Sequence, residues 1–121
     1  MLKNKILIVD DEEDFVQVVK MRLEFNGFEV STANDGKEGL QKAREEFPNL
    51  IILDAMLPSI DGFKICKLLK FDEKYQNIPV VMLSALSQDM DRTMGLQSGA
   101  DKYLTKPFND QELLEVINSL L

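Results

Sequence analysis

Twice in this chain an apolar, strand-forming run ends in a carboxylate. KILIVDDEED carries Ile6 to Val9 straight into Asp10 and Asp11, and LIILDAMLPSIDG carries Leu50 to Leu53 into Asp54. VVMLSA delivers Ser84 in the same way, and YLTKP delivers Lys106. Three carboxylates brought to one rim repel one another, by about 4 kcal/mol for a pair about 4 Å apart at an effective dielectric of about 20, so a positive charge has to sit among them. Oxygen ligands alone suit Mg²⁺, with Mn²⁺ as the substitute, and Lys106 offers a second positive charge. Beside such an ion Asp54 can attack phosphorus and form an aspartyl phosphate, while Ser84 and Lys106 can hold the phosphoryl oxygens. Pro58 and Asp61-Gly62 make the loop after Asp54 rigid, and one backbone carbonyl from it can complete the metal site. Each residue also has a plainer role. A strand-end Asp caps a helix or forms a turn, DDEED makes a favourable negative first turn, Ser84 caps a helix, and Lys106 is a solvated loop residue.

What the chain lacks narrows the chemistry. Among 121 residues there is no histidine, which removes His-based acid/base catalysis, Ser-His triads, His-ligated zinc and phosphohistidine. The single cysteine, Cys66, excludes an intramolecular disulfide and a thiolate metal cage. It lies in KICKLLK beside Ile65, Leu68 and Leu69, where packing in the core is expected. With 45% hydrophobic and 29% charged residues the composition is that of an ordinary globular domain. A net charge of −7 opposes non-specific attraction to nucleic acid. No apolar run approaches the roughly 20 residues that span a bilayer, and MLKNK is not a signal-peptide start, so a cytoplasmic location is the expectation.

To bring these groups together the elements must alternate. Five short apolar runs interleave with five amphipathic stretches, the pattern of repeated βαβ units around a parallel sheet. Strands are expected at Lys5–Val9, Glu29–Ala33, Leu50–Leu53, Val80–Leu83 and Tyr103–Thr105. Helices are expected at Glu13–Asn26, Lys37–Phe47, Gly62–Phe71, Gln88–Ser98 and Asp110–Leu121. The first, third and fourth strands are nearly all aliphatic, as strands covered on both faces are, and EVSTA has the mixed character of an edge. Gly27 and Pro48 stop helices and Asn109 caps the fifth. In open parallel sheets ligands bind beyond the carboxyl ends of the strands. Asp10 and Asp11, Asp54, Ser84 and Lys106 then share one edge, and the strand without such a residue is the edge strand. Residues 1–121 form one domain, read either as a complete small protein or as a domain cut at its natural edge.

ILIVDDE, LIILDAMLPSIDG, VVMLSA and GADKYLTKPF, in this order and spacing, resemble the receiver domain of two-component response regulators over the whole chain. The resemblance implies a doubly wound (βα)5 flavodoxin-like three-layer sandwich with strand order 2-1-3-4-5. It implies that Asp54 accepts a phosphoryl group from the phosphohistidine of a sensor histidine kinase or histidine phosphotransfer protein. Asp10, Asp11, Asp54 and the backbone carbonyl of Met56 would hold Mg²⁺. Ser84 would follow the phosphoryl group, Tyr103 would rotate into the space it leaves, and Lys106 would be the cation, with a Lys106–Pro107 bond that is typically cis. Output to an effector domain or downstream protein would pass through the face formed by the fourth helix, fifth strand and fifth helix. Such a domain is a phosphoacceptor that assists its own phosphorylation rather than a turnover enzyme. It does not itself bind DNA or membrane.

Met56 and Leu86 occupy the positions that set phosphoryl lifetime in this family, and both are apolar, so slow self-dephosphorylation is expected. Met90 and Met94 lie four apart on the fourth helix and are expected to pack in the core, with Gly95 softening that helix. Asp101-Lys102 and an Arg-free Asp110–Leu121 depart from the regulators that dimerise through the output face, which points to a monomer or weak dimer. A haloacid-dehalogenase-type phosphohydrolase would need a D-x-D nucleophile after the first strand and room for a cap. A flavodoxin would need a neutral phosphate loop where DDEED stands.

Overall fold

The computed structural model describes residues 3–85 and 88–121. Five strands and five helices alternate: β1 (Lys5–Val9), α1 (Glu13–Phe25), β2 (Glu29–Ala33), α2 (Gly36–Glu46), β3 (Leu50–Asp54), α3 (Gly62–Lys70), β4 (Val80–Ser84), α4 (Asp89–Gln97), β5 (Lys102–Thr105) and α5 (Asp110–Leu120). The strands are all parallel, in the order β2-β1-β3-β4-β5. This is the flavodoxin-like arrangement, and EVSTA takes an edge as its mixed composition requires.

Period-two alternation sorts the aliphatic strands onto two faces. Leu7, Val9, Ile51, Leu53, Val80 and Met82 pack on one side with Leu40 and Ala43 of α2 and Ile65, Cys66 and Leu69 of α3. Ile6, Ile8, Leu50, Ile52, Val81 and Leu83 pack on the other with Val16, Val19 and Leu23 of α1 and Leu113 and Ile117 of α5. Each of these fully buried aliphatic side chains stabilises the fold by about 1.5–3 kcal/mol, so the sheet is a rigid platform. Cys66 is fully buried in the first cluster.

Register brings the strand ends level. Val9 pairs with Leu53, Asp54 with Leu83, and Ser84 with Thr105. Asp54 and Ser84 are the last residues of their strands rather than the first residues beyond them, and β5 begins one residue earlier than expected. Side-chain caps fix where several helices start. Asp35 accepts from Glu38 N at the head of α2, Asp61 from Lys64 N at α3, and Asn109 from Glu112 N at α5. Gly27, with φ 92°, turns the chain out of α1.

Gly62 is required by a close approach. A Cβ at this position would stand 2.0 Å from the Asp54 carbonyl oxygen, so only glycine lets α3 begin directly against the end of β3.

The fourth helix corrects one expectation. Met90 and Met94 are 75% and 44% exposed rather than in the core. Gly95 is the one buried residue of α4, because the helix lies over the ring of Tyr103 and presents no side chain inward there. No helix among the described residues is long and apolar enough to cross a membrane.

Candidate functional site

The β1, β3, β4 and β5 ends converge on a small acidic rim. Asp10 leaves β1 with its backbone N–H donating to Ala33 O at 3.1 Å. Its Oδ1 accepts from Glu12 N at 2.9 Å, which leaves Oδ2 facing the rim. The Asp54 carboxylate is held by the following turn, where Met56 N donates to Oδ1 at 3.0 Å. Both aspartates are buried, at 3% and 6% exposure.

Lys106 crosses from β5 to this pair. Its backbone N donates to Ser84 O at 2.8 Å, and the Lys106–Pro107 bond is cis. Its ammonium donates to Asp10 Oδ2 at 2.8 Å and to Asp54 Oδ2 at 3.2 Å, and it lies 3.5 Å from Glu12 Oε1. Its side chain is only 12% exposed, so these contacts are poorly screened. Burial pushes the Asp54 carboxyl above the ordinary carboxylate range, with the nearby Asp10 charge adding to the rise, while Met56 N–H and Lys106 pull it back. Burial works against the charge on Lys106, but the hydrogen bonds and charges of Asp10 and Asp54 more than compensate and raise its pKa.

Carboxylate oxygens of Asp10, Glu12 and Asp54 lie within 4.8 Å of one another. The expectation named Asp11 in this group. Asp11 is exposed and lies beside Met56, Pro58 and Asp61 along a shallow groove, and Glu12, which the sequence did not single out, joins the cluster. Glu12 stands one residue before α1 and its side chain makes no cap hydrogen bond, so it is free to turn to the rim. The all-oxygen donor set fits a hard divalent cation such as Mg²⁺ or Mn²⁺ and not a soft one. That Lys106 supplies positive charge to these oxygens shows what the cluster demands.

Ser84 is fully buried at the end of β4. Tyr103 of β5 is 4% exposed, with its ring inward over Gly95. Burial raises the Tyr103 phenol above its ordinary value, and the nearby Ser84 side chain draws it back. The expectation that Tyr103 moves in when Ser84 shifts therefore meets a ring that is already inward. Arg92 of α4 holds it there, donating to Tyr103 O at 3.1 Å with its guanidinium 5.5 Å from the ring centroid. The Met56 side chain is 61% exposed. Leu86, its expected companion, lies outside the described residues.

Residues 6–118 match the family described as the response regulator receiver domain. The chain is 43% identical over 120 residues to the alkaline phosphatase synthesis transcriptional regulatory protein PhoP of Bacillus subtilis, covering 99% of this chain and 49% of that protein. It is 46% identical to the DNA-binding dual master transcriptional regulator RpaA of Synechocystis, covering 97% of this chain and 48% of that one. It thus spans about half the length of these curated relatives. Among solved structures, the receiver domain of the Francisella response regulator 1452 superposes with a TM-score of 0.90 at 38% identity, over 98% of this chain and 96% of that one. A match that runs from the first strand into the last helix, on a fold of the same topology, makes the chain a member of the response regulator receiver domains, the signalling modules of two-component systems.

Proposed function

We propose that Asp54 is the phosphoacceptor, taking a phosphoryl group from the phosphohistidine of a partner sensor histidine kinase or histidine phosphotransfer protein. The observation that carries this reading is the Asp54 carboxylate itself. It is buried at a strand end, its Oδ1 is pinned by Met56 N–H and its Oδ2 is bound by Lys106, beside the second buried acid, Asp10. In the transfer an Asp54 oxygen bonds to phosphorus as the histidine N–P bond breaks, and the electron pair leaves with the imidazole. Mg²⁺ (or Mn²⁺), held by Asp10, Asp11, Asp54 and the Met56 carbonyl, with Glu12 at the rim, supplies neutralisation of the phosphoryl charge. Lys106 and the Ser84 hydroxyl bind phosphoryl oxygens, and the Met56 N–H keeps the acceptor oxygen oriented.

The added charge biases Ser84, Tyr103 and α4, so that output passes through the α4-β5-α5 face to an effector domain or downstream protein. Relatives that are named as DNA-binding or transcriptional regulators support gene control as that output, carried by a partner or region other than this acidic domain. Residues 1–121 act as one receiver domain, a monomer or weak dimer, and apolar Met56 and Leu86 make its self-dephosphorylation slow.

Incubation with acetyl phosphate, with and without Mg²⁺, followed by intact mass, tests the reading. Gain of one phosphoryl mass that needs both Mg²⁺ and Asp54, and is lost in Asp54→Ala, is the expected result. An adduct that persists in Asp54→Ala would overturn the assignment.

A further inference from the structure

The Lys106 ammonium has a neighbour that is not a carboxylate. It sits 4.3 Å from the centroid of the Phe15 ring on α1, while Asp10, Asp54 and Glu12 approach it at 2.8, 3.2 and 3.5 Å. The ring is itself fixed. It meets Phe108 edge to face, with centroids 5.9 Å apart and planes at 87°, and both rings pack against the cluster between the sheet, α1 and α5. Phe108 follows Lys106 by two residues, so the lysine, its aromatic seat and the support of that seat form one continuous unit. An ammonium over a ring face is attracted by the ring quadrupole, and more strongly where water is excluded. Lys106 meets that condition with a side chain that is 12% exposed.

The carboxylates cannot hold Lys106 in place throughout a phosphoryl transfer. Asp54 loses a free oxygen when it forms its bond to phosphorus, and Asp10 and Glu12 are the oxygens a hard cation would draw on. The aromatic ring takes part in neither event. We propose that Phe15 is a positioning residue for phosphoryl transfer, its ring face keeping the Lys106 ammonium at the rim, within reach of an oxygen arriving on Asp54, whatever the carboxylates are bound to. The inference rests on the reading of Asp54 as phosphoacceptor. The step it assists is balanced: with acetyl phosphate an Asp54 oxygen bonds to phosphorus, the P–O bond to the acetyl group breaks, and acetate leaves with the electron pair. Lys106 keeps its proton and donates a hydrogen bond.

The test replaces Phe15 in the full chain with mono-, di- and trifluorinated phenylalanine, which strips electron density from the ring face while nearly preserving its shape. The rate of adduct formation from acetyl phosphate with Mg²⁺ is expected to fall stepwise, by about two- to fivefold across the series, the span that a cation–π contact supplies. Phe15→Tyr should keep the wild-type rate and Phe15→Leu should fall to the bottom of the series. A second readout needs no phosphodonor: in ¹³C-lysine-labelled protein the ε-methylene protons of Lys106 are expected upfield, shifted by the ring current, in wild type and Phe15→Tyr but not in Phe15→Leu. A flat rate across the fluorinated series, or Lys106 resonances at free-lysine positions, overturns the inference while leaving the phosphoacceptor reading intact. A wild-type chain that gains no phosphoryl group, yet shows the upfield resonance, overturns both the phosphoacceptor reading and the positioning role built on it.

Discussion

Replacing Lys106 by Met keeps the length of the stem and deletes the charge. The ammonium lies 2.8 Å from Asp10 Oδ2 and 3.2 Å from Asp54 Oδ2. At an effective dielectric of about 20 these contacts are worth about 6 and about 5 kcal/mol of gross attraction. Much of that offsets the desolvation of the lysine, so it is not a net contribution. Deleting one partner is different, because the two buried carboxylates are left facing each other. The expected destabilisation is about 3–5 kcal/mol, a large share of the roughly 5–15 kcal/mol that holds a domain folded.

Its pH dependence has a definite sign. Burial already pushes the Asp54 carboxyl up, and loss of Lys106 pushes it further. A carboxyl whose folded pKa exceeds its unfolded value binds more protons in the folded state, so stability falls as pH rises through that window. The penalty of Lys106→Met is therefore full at neutral pH, shrinks as pH falls through the raised folded-state pKa of Asp54, and is gone below about pH 4, the unfolded carboxylate range. Urea unfolding followed by far-UV circular dichroism, in chelator, measures it at both pH values. Mg²⁺ at neutral pH should return more stability to the variant than to the wild type, since Lys106 no longer competes for the oxygens. A variant within about 1 kcal/mol of wild type at neutral pH, against the 3–5 expected, would refute the view that Lys106 neutralises this rim. So would an equal loss at both pH values.

Gly62→Ala places a Cβ 2.0 Å from the Asp54 carbonyl oxygen and should lower stability by about 3 kcal/mol or more, read as a lower urea midpoint. Asn109→Ala removes the side chain that caps α5 and should cost about 1 kcal/mol in the same assay. The double variant Met56→Asn with Leu86→Glu should shorten the lifetime of the phosphorylated form by about tenfold or more, timed by intact mass, because polar groups can then orient an attacking water; an unchanged lifetime refutes the idea that these two positions shield the phosphorus. Cys66 is fully buried and burial pushes its thiol pKa up, so a thiol reagent should modify it only as fast as the chain unfolds.

The sheet was readable in the sequence because aliphatic runs covered on both faces leave few other solutions, and because each run stops at a polar residue at the same depth. Asp10, Asp54 and Lys106 were readable for that reason. Glu12 was not, since its position depends on where α1 starts, and the five neighbouring acids in DDEED look alike until that start is known. Asp11, which the sequence also sends to this edge, is exposed beside Met56 and Pro58. The role of Gly62 is a matter of close approach between β3 and α3, invisible to any local pattern. Met90 and Met94 have helical spacing, but spacing cannot tell which side of a helix meets the sheet, and α4 meets it through Gly95.

That last contact sets the mechanical character of α4. The helix is fastened by a glycine seated on the Tyr103 ring and by Arg92 reaching the Tyr103 carbonyl. Peeling it away uncovers little apolar surface, so its opening free energy lies far below that of the sheet. Amide protons of α4 should accordingly trade with deuterium long before those of β1, β3 and β4. If Tyr103 shifts on phosphorylation as proposed, the nine-residue helix seated on its ring should move as a unit rather than one side chain alone.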